Sequence, residues 1–208
     1  SEELPILDGS ATPLVRLIEA AGTVAQELPR RYIRVLQPVE IAAGRTRLRL
    51  EPAPTLQLDI TLAMPDFGPL RWQGEAAPAI VRAEIAPART FGSLKEALPA
   101  MLYGRLTGRP ILRGARFSNA VLVHGRRVLN RGGLRLPEEF VRHRVLDAIG
   151  DLALAGAPVQ GKVTAVRTAH RFNHRLLEAL FADDGAWEYS TAPAQAGVAA
   201  NSDEISRH

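Results

Sequence analysis

Cysteine is absent from this chain of 208 residues. Its absence excludes disulfides, thiolate metal sites and a cysteine nucleophile, and it fits a reducing compartment. Aromatic residues make up only 5%. Arginines such as Arg45, Arg47 and Arg49 are spread over strands and loops instead of forming a block. The formal charge of +4 therefore does not describe a nucleic-acid interface, which calls for a clustered basic stripe with interleaved aromatics. No apolar run approaches the roughly 20 residues that span a bilayer. The opening SEELPILDG has neither a basic n-region nor an apolar h-region. No repeat of solenoid length occurs. With 46% hydrophobic and 23% charged residues, we expect an ordinary globular core in a soluble, cytoplasmic, monomeric protein without a nucleic-acid partner.

Within that composition one stretch stands out, PEEFVRHRVLDAIGDLALAG at residues 137–156. Pro137 suits a first helical position, and Glu138 and Glu139 follow where the helix dipole favours negative charge. Apolar residues cover most of the predicted circumference, as in a helix buried by its neighbours. His143, Asp147 and Asp151 nevertheless recur at i, i+4 and i+8, forming one polar stripe. Carboxylates in such surroundings are costly to desolvate unless a metal, a cation or a set of donors receives them. His143 with Asp147 has the spacing of two metal ligands on adjacent turns, a short pattern that also arises by chance. His170, between a predicted strand and a predicted helix, can reach a neighbouring site, with Asp151 as the partner that fixes its tautomer. A buried structural Asp-His bond is the alternative. His124 falls at a hairpin turn and His174 at a helix start, where exposed or structural roles suffice.

The remainder reads as α+β. Leu14, Leu17, Ile18 and Ala21 have helical spacing. From Arg31 to Leu62 the period changes to two, with Leu48 and Leu50, then Leu56, Leu58, Ile60 and Leu62, alternating with polar residues, as in half-buried antiparallel strands. Turns are expected near Ala43-Gly44 and at residues 52–54. Ile80 to Ile85 suits a strand or a short helix. Residues 94–108 suit a helix interrupted by Pro99, and NAVLVHGRRVLN a hairpin turning at His124-Gly125. GKVTAVRTAH predicts a strand and loop, after which Asn173 is placed to cap a helix. Residues 192–208 are small and polar, the composition of a disordered tail.

Several segments together resemble the UDP-3-O-acyl-N-acetylglucosamine deacetylases, zinc enzymes of lipid A biosynthesis. They are LPILDGSATP, ARTFG at residues 88–92, VLNRGGLRLPEEF, FVRHRVLDAIGDLALAG, and AHRFNHRLLEAL with the later AWEY. The resemblance implies two-layer helix/sheet domains with zinc between them. It implies His143 and Asp147 as zinc ligands, on a donor set that also accepts iron(II). His170 would be the imidazole that stabilises the oxyanion and protonates the leaving amine, oriented by Asp151, with Thr90 beside the reacting carbonyl and Phe91 against the substrate. Arg144 and Arg167 stand where the family has lysines near the nucleotide phosphates, and a guanidinium keeps the charge while changing the geometry. The family's third ligand and its glutamate base belong to a Glu-His pair upstream of LPILDGSATP. We therefore expect residues 1–30 to be the remnant of a first domain and residues 31–191 a complete second domain, with an acyl-chain passage insert near 93–118. The expected reaction is deacetylation of UDP-3-O-acyl-N-acetylglucosamine, weak for this chain alone. The competing expectation is a non-catalytic homologue that partners or regulates a complete enzyme.

Overall fold

The computed structural model describes residues 6–64, 66–107 and 119–191. After a turn at residues 7–8, the chain forms helix α1 (Thr12–Ala21). Five strands follow: β1 (Arg31–Val35), β2 (Val39–Ala43), β3 (Thr46–Glu51), β4 (Leu56–Met64) and β5 (Gly68–Glu75). A short helix, α2 (Pro78–Ile80), runs into a π-helical turn at Val81–Ile85, so the ambiguous apolar stretch is helical. Then come β6 (Phe91–Ser93), α3 (Leu94–Thr107), β7 (Val121–His124), β8 (Arg127–Val128), α4 (Glu139–Leu152), β9 (Val159–Val166), α5 (His170–Phe181) and β10 (Trp187–Thr191).

Strand β9 organises the main sheet. It pairs antiparallel with β3 and parallel with β4, and its first two residues pair parallel with β1. β10 joins the outer side of β1, β2 that of β3, and β5 that of β4, giving seven strands. Alternation explains the position of β9, whose residues Val159, Gly161, Val163 and Ala165 are all buried. Gly161 is glycine for a steric reason. A Cβ there would come within 2.8 Å of both Leu50 Cδ1 and Val35 Cγ2.

Helices α4 and α5 cover one face of this sheet, the two-layer α+β arrangement expected. Val141, Val145, Ala148 and Leu152 of α4 and Phe172, Leu176, Leu177 and Leu180 of α5 meet Leu48, Leu50, Leu58, Ile60 and Val163 in one core. A smaller sheet of order β6-β7-β8 carries a second cluster, Val121 and Val123 against Phe140. The His124-Gly125 hairpin turn lies between β7 and β8 as expected.

Two local expectations need correction. α4 begins at Glu139, two residues after Pro137, because Glu138 takes a left-handed conformation (φ 53°) and the chain enters the helix only beyond it. α3 runs through Pro99 without stopping. The proposed tail at 192–208 and residues 108–118 of the proposed insert lie outside the described residues. No described helix is long and apolar enough to cross a membrane.

Candidate active site

Helix α4 carries the polar stripe, and a buried ion pair fixes where the helix starts. Glu139 is fully buried. Its carboxylate accepts hydrogen bonds from Arg89 N (2.9 Å), Arg89 Nε (2.8 Å), Arg89 Nη2 (3.0 Å) and Arg135 N (2.7 Å). Burial raises the Glu139 pKa, but the bonds from Arg89 and Arg135 outweigh it and hold the carboxyl below its ordinary value. Arg89 also donates to Gly133 O at 2.9 Å. Residues 88–91 are thereby held along α4, with Arg142 Nη1 to Glu84 Oε2 (2.6 Å) tying the preceding turn to the same helix.

That placement sets the chemistry of His143. Its Nδ1 lies 3.1 Å from Ala88 O. A carbonyl can only accept, so Nδ1 carries the proton and Nε2 keeps its lone pair. Nε2 is 3.5 Å from Asp147 Oδ1, and both side chains are 13% exposed. Burial lowers the His143 pKa more than the Asp147 charge and the Ala88 bond raise it, so the ring is neutral near pH 7. A neutral imidazole with its second nitrogen bonded to a carbonyl, beside a carboxylate, is a donor set that suits zinc or iron(II). Among the described residues, no group of three or more metal-binding side chains converges.

His170 begins α5 and faces the stripe from the next helix. Its Nδ1 contacts both Asp151 oxygens, at 2.9 and 3.1 Å, which directs Nε2 toward Asp147 Oδ1 at 4.0 Å. Its side chain is 60% exposed, whereas that of Asp151 is 12% exposed. Asp151 has two further partners, Asn173 Nδ2 at 2.7 Å and His174 Nε2 at 3.3 Å. Asn173 is in turn held by the Thr168 hydroxyl at 2.5 Å. Asn173 is therefore no helix cap; the N-cap position of α5 is Ala169, which has no side-chain bond. Thr168, Asn173 and His174 were not singled out as site residues, although the i, i+3 and i+4 spacing from His170 places Asn173 and His174 on its side of the helix.

Phe91 packs edge-on against Phe140, with ring centroids 5.1 Å apart, and against His143 at 6.1 Å. The Arg144 guanidinium lies 4.9 Å from the Phe91 centroid and donates to Asp147 Oδ2 at 2.8 Å. Its buried Nε has no hydrogen-bond partner among the described residues. Thr90 is fixed through its backbone, its N–H donating to Gly9 O (2.8 Å) and its carbonyl accepting from Val121 N (2.7 Å). His143, Arg144, Asp147, Asp151, His170 and Phe91 thus form one connected group, with Thr90 next in the chain to Phe91.

Arg167 is placed differently. It follows β9 with φ 58°, its N–H donating to Thr61 O at 3.0 Å. It lines an open pocket of about 470 Å³ with Arg45, Ala63, Met64, Gly68 and Pro69. Arg45, from the turn between β2 and β3, is a second cation at this pocket that no local sequence pattern marks.

The family model LpxC, described as UDP-3-O-acyl N-acetylglycosamine deacetylase, matches residues 1–182. The chain is 42% identical over 191 residues to the UDP-3-O-acyl-N-acetylglucosamine deacetylase of Phenylobacterium zucineum (strain HLK1), covering 91% of this chain and 63% of that protein. It is 41% identical over 193 residues to the deacetylase of Stenotrophomonas maltophilia (strain K279a), covering 91% and 62%. It is 40% identical over 197 residues to that of Xanthomonas campestris pv. campestris (strain B100), covering 93% and 63%. The chain therefore spans somewhat under two thirds of the length of these curated relatives. On this match, the chain belongs to the UDP-3-O-acyl-N-acetylglucosamine deacetylase family.

Proposed function

We propose that the α4–α5 face serves zinc-dependent removal of the acetyl group from UDP-3-O-acyl-N-acetylglucosamine, a step of lipid A biosynthesis, in the cytoplasm. The observation that carries this reading is the shared orientation of two imidazoles. Both Nδ1 atoms are engaged by acceptors, Ala88 O and the Asp151 carboxylate, and both Nε2 atoms turn toward Asp147 Oδ1. A merely structural Asp-His bond requires one such pair and no convergence.

In this reading His143 Nε2 and Asp147 are the chain's metal ligands. When bound, zinc lowers the pKa of a water molecule and polarises the amide carbonyl. The protein groups do the rest. Asp151 holds the proton of His170 on Nδ1 and steadies the ring when Nε2 is protonated as well. His170 Nε2 then lies where it can hydrogen-bond the developing oxyanion and pass a proton to the departing nitrogen. The water oxygen would bond to the acetyl carbon as its proton passes to a base supplied by the complete enzyme, the C–N bond would break, and acetate and the sugar amine, protonated through His170, would leave. Phe91 and the Ala88–Thr90 backbone form the wall beside the reacting group. Arg144, with a buried unpaired Nε, and Arg167 with Arg45 at the open pocket, offer cations for the substrate's diphosphate.

Two protein donors are fewer than the three usual at a catalytic zinc. Taken alone, this chain is accordingly expected to hold zinc weakly and to turn over slowly. Calorimetric zinc titration should show weak binding that His143→Ala abolishes, and amine release should fall further in His170→Ala. Zinc affinity unchanged by His143→Ala would refute the ligand assignment. Rapid turnover at trace zinc would refute the two-donor argument. The same donor count favours the second reading, a homologue that assists a complete deacetylase without catalysing. That reading predicts that adding this chain raises or lowers the rate of a complete enzyme while His143→Ala leaves the effect intact.

A further inference from the structure

Asp151 bonds two imidazoles, and the proposed mechanism uses only one of them. The second is His174, whose Nε2 lies 3.3 Å from Asp151 Oδ1. An ionised carboxylate only accepts, so His174 carries a proton on Nε2. His170, Asn173 and His174 stand at i, i+3 and i+4 on α5, so one turn of that helix closes around a single carboxylate of α4. The two oxygens are bonded separately. Asn173 Nδ2 donates to Oδ2 at 2.7 Å and His174 Nε2 to Oδ1, while His170 Nδ1 contacts both oxygens, at 2.9 and 3.1 Å.

This division decides how firmly His170 is aimed. The His170 side chain is 60% exposed, so packing does little to hold its ring, and its direction follows the carboxylate it bonds. Asn173 is buried and braced by the Thr168 hydroxyl, which makes it a fixed point on Oδ2. One fixed point still lets an aspartate turn about its Cβ–Cγ bond, a torsion with a broad minimum. Such a turn would move Oδ1 and draw the His170 ring off line. The His174 bond supplies the second point and closes that rotation. Helices α4 and α5 already share one apolar core, so this polar bond is not needed to join them. His174 is itself 45% exposed through its side chain, too much for a core role.

We propose that His174 is a positioning residue for the reaction: by holding Asp151 Oδ1 it keeps the proton of His170 on Nδ1 and His170 Nε2 directed toward Asp147 and the reacting group. The proposal rests on the catalytic reading of His170, but its first test needs neither zinc nor turnover. Imidazole 15N shifts of the whole chain are compared for the parent, His174→Ala, His174→Asn and His174→Gln at about pH 8.5, where an ordinary imidazole is neutral. The parent should show His170 protonated on Nδ1 and bare on Nε2. His174→Ala should bring both His170 nitrogens toward the average of two exchanging tautomers. His174→Gln should restore the parent shifts, because a glutamine Nε2 reaches about as far as the imidazole Nε2. His174→Asn, one bond shorter, should not. A merely structural contact would not follow the reach of the donor. In amine release by the zinc-saturated chain, His174→Ala should lower kcat about three- to tenfold, the worth of one ordinary hydrogen bond, with KM little changed. Urea unfolding checks that each variant folds. Unchanged His170 shifts in His174→Ala, a glutamine variant that behaves like the alanine one, or a raised KM with kcat intact would each overturn the proposal. A parent that releases no amine would refute the catalytic reading instead, and the 15N comparison would still decide the role of His174.

Discussion

Replacing Glu139 by glutamine tests whether the buried ion pair at the head of α4 sets the geometry of the site below it. The carboxylate is fully buried, and Arg89 is 9% exposed through its side chain. Four N–H groups converge on the two carboxylate oxygens. A glutamine carbonyl can serve one pair of these donors, but its NH2 group then faces the other pair, N–H against N–H. The Arg89 charge loses its counterion without gaining water. Breaking a buried pair from one side costs about 3–5 kcal/mol, a large part of the roughly 5–15 kcal/mol that holds a typical domain folded. With a urea dependence of about 2 kcal/mol per molar, the midpoint should fall by about 2 M at pH 7.

The pH dependence gives a second signature. The folded-state pKa of Glu139 lies below its ordinary value of 4.5. Its contribution is therefore fully present above that value and is lost as pH falls through the folded pKa. The gap between parent and Glu139→Gln should be constant from about pH 6 to 8 and should narrow below 4.5. Because Arg89 also holds Ala88, the variant should further lose the fixed His143 tautomer, visible in the imidazole 15N shifts. A midpoint shift below about 0.5 M, with the His143 tautomer unchanged, would refute the claim that this pair positions the site.

Two other substitutions probe the site from different sides. Asn173→Ala removes the 2.7 Å bond to Asp151; in an active deacetylase preparation it should lower kcat about tenfold with KM little changed, because the carboxylate that orients His170 is less firmly held. A rise in KM alone would place Asn173 in binding instead. Gly9→Ala puts a Cβ 1.7 Å from Asn119 O at a residue with φ +80°. It should cost about 3 kcal/mol by urea unfolding and disturb the Thr90 backbone, whose N–H donates to Gly9 O.

Features with a short period were legible in the sequence, and those joining distant segments were not. The stripe of His143, Asp147 and Asp151 follows from helical geometry alone. The alternation around Leu48, Leu50, Leu58 and Ile60 located the buried face of β3 and β4. The alternation misled at Asp59, a polar position that is nevertheless buried at 7% exposure. There Arg71 reaches across from β5 with two bonds, at 2.7 and 2.6 Å, and holds the carboxyl below its ordinary pKa. Local preference also misled at Pro137, because Glu138 takes the αL conformation and α4 begins only beyond it. The pairing of Arg89 with Glu139 spans 50 positions. Neither residue type nor spacing announces such a pair, since an acidic residue in a first helical turn is already accounted for by the dipole. That satisfactory local explanation hid the tertiary one. The bare spacing of His143 and Asp147 suggests a metal site but leaves both imidazole nitrogens free to act. Only the carbonyl of Ala88, fixed through Arg89, decides which nitrogen carries the proton. The pairing of His143 with Asp147 was therefore visible from its own helix, while the tautomer that would suit a metal depends on the loop that carries Ala88 and on an ion pair that the helix sequence does not contain.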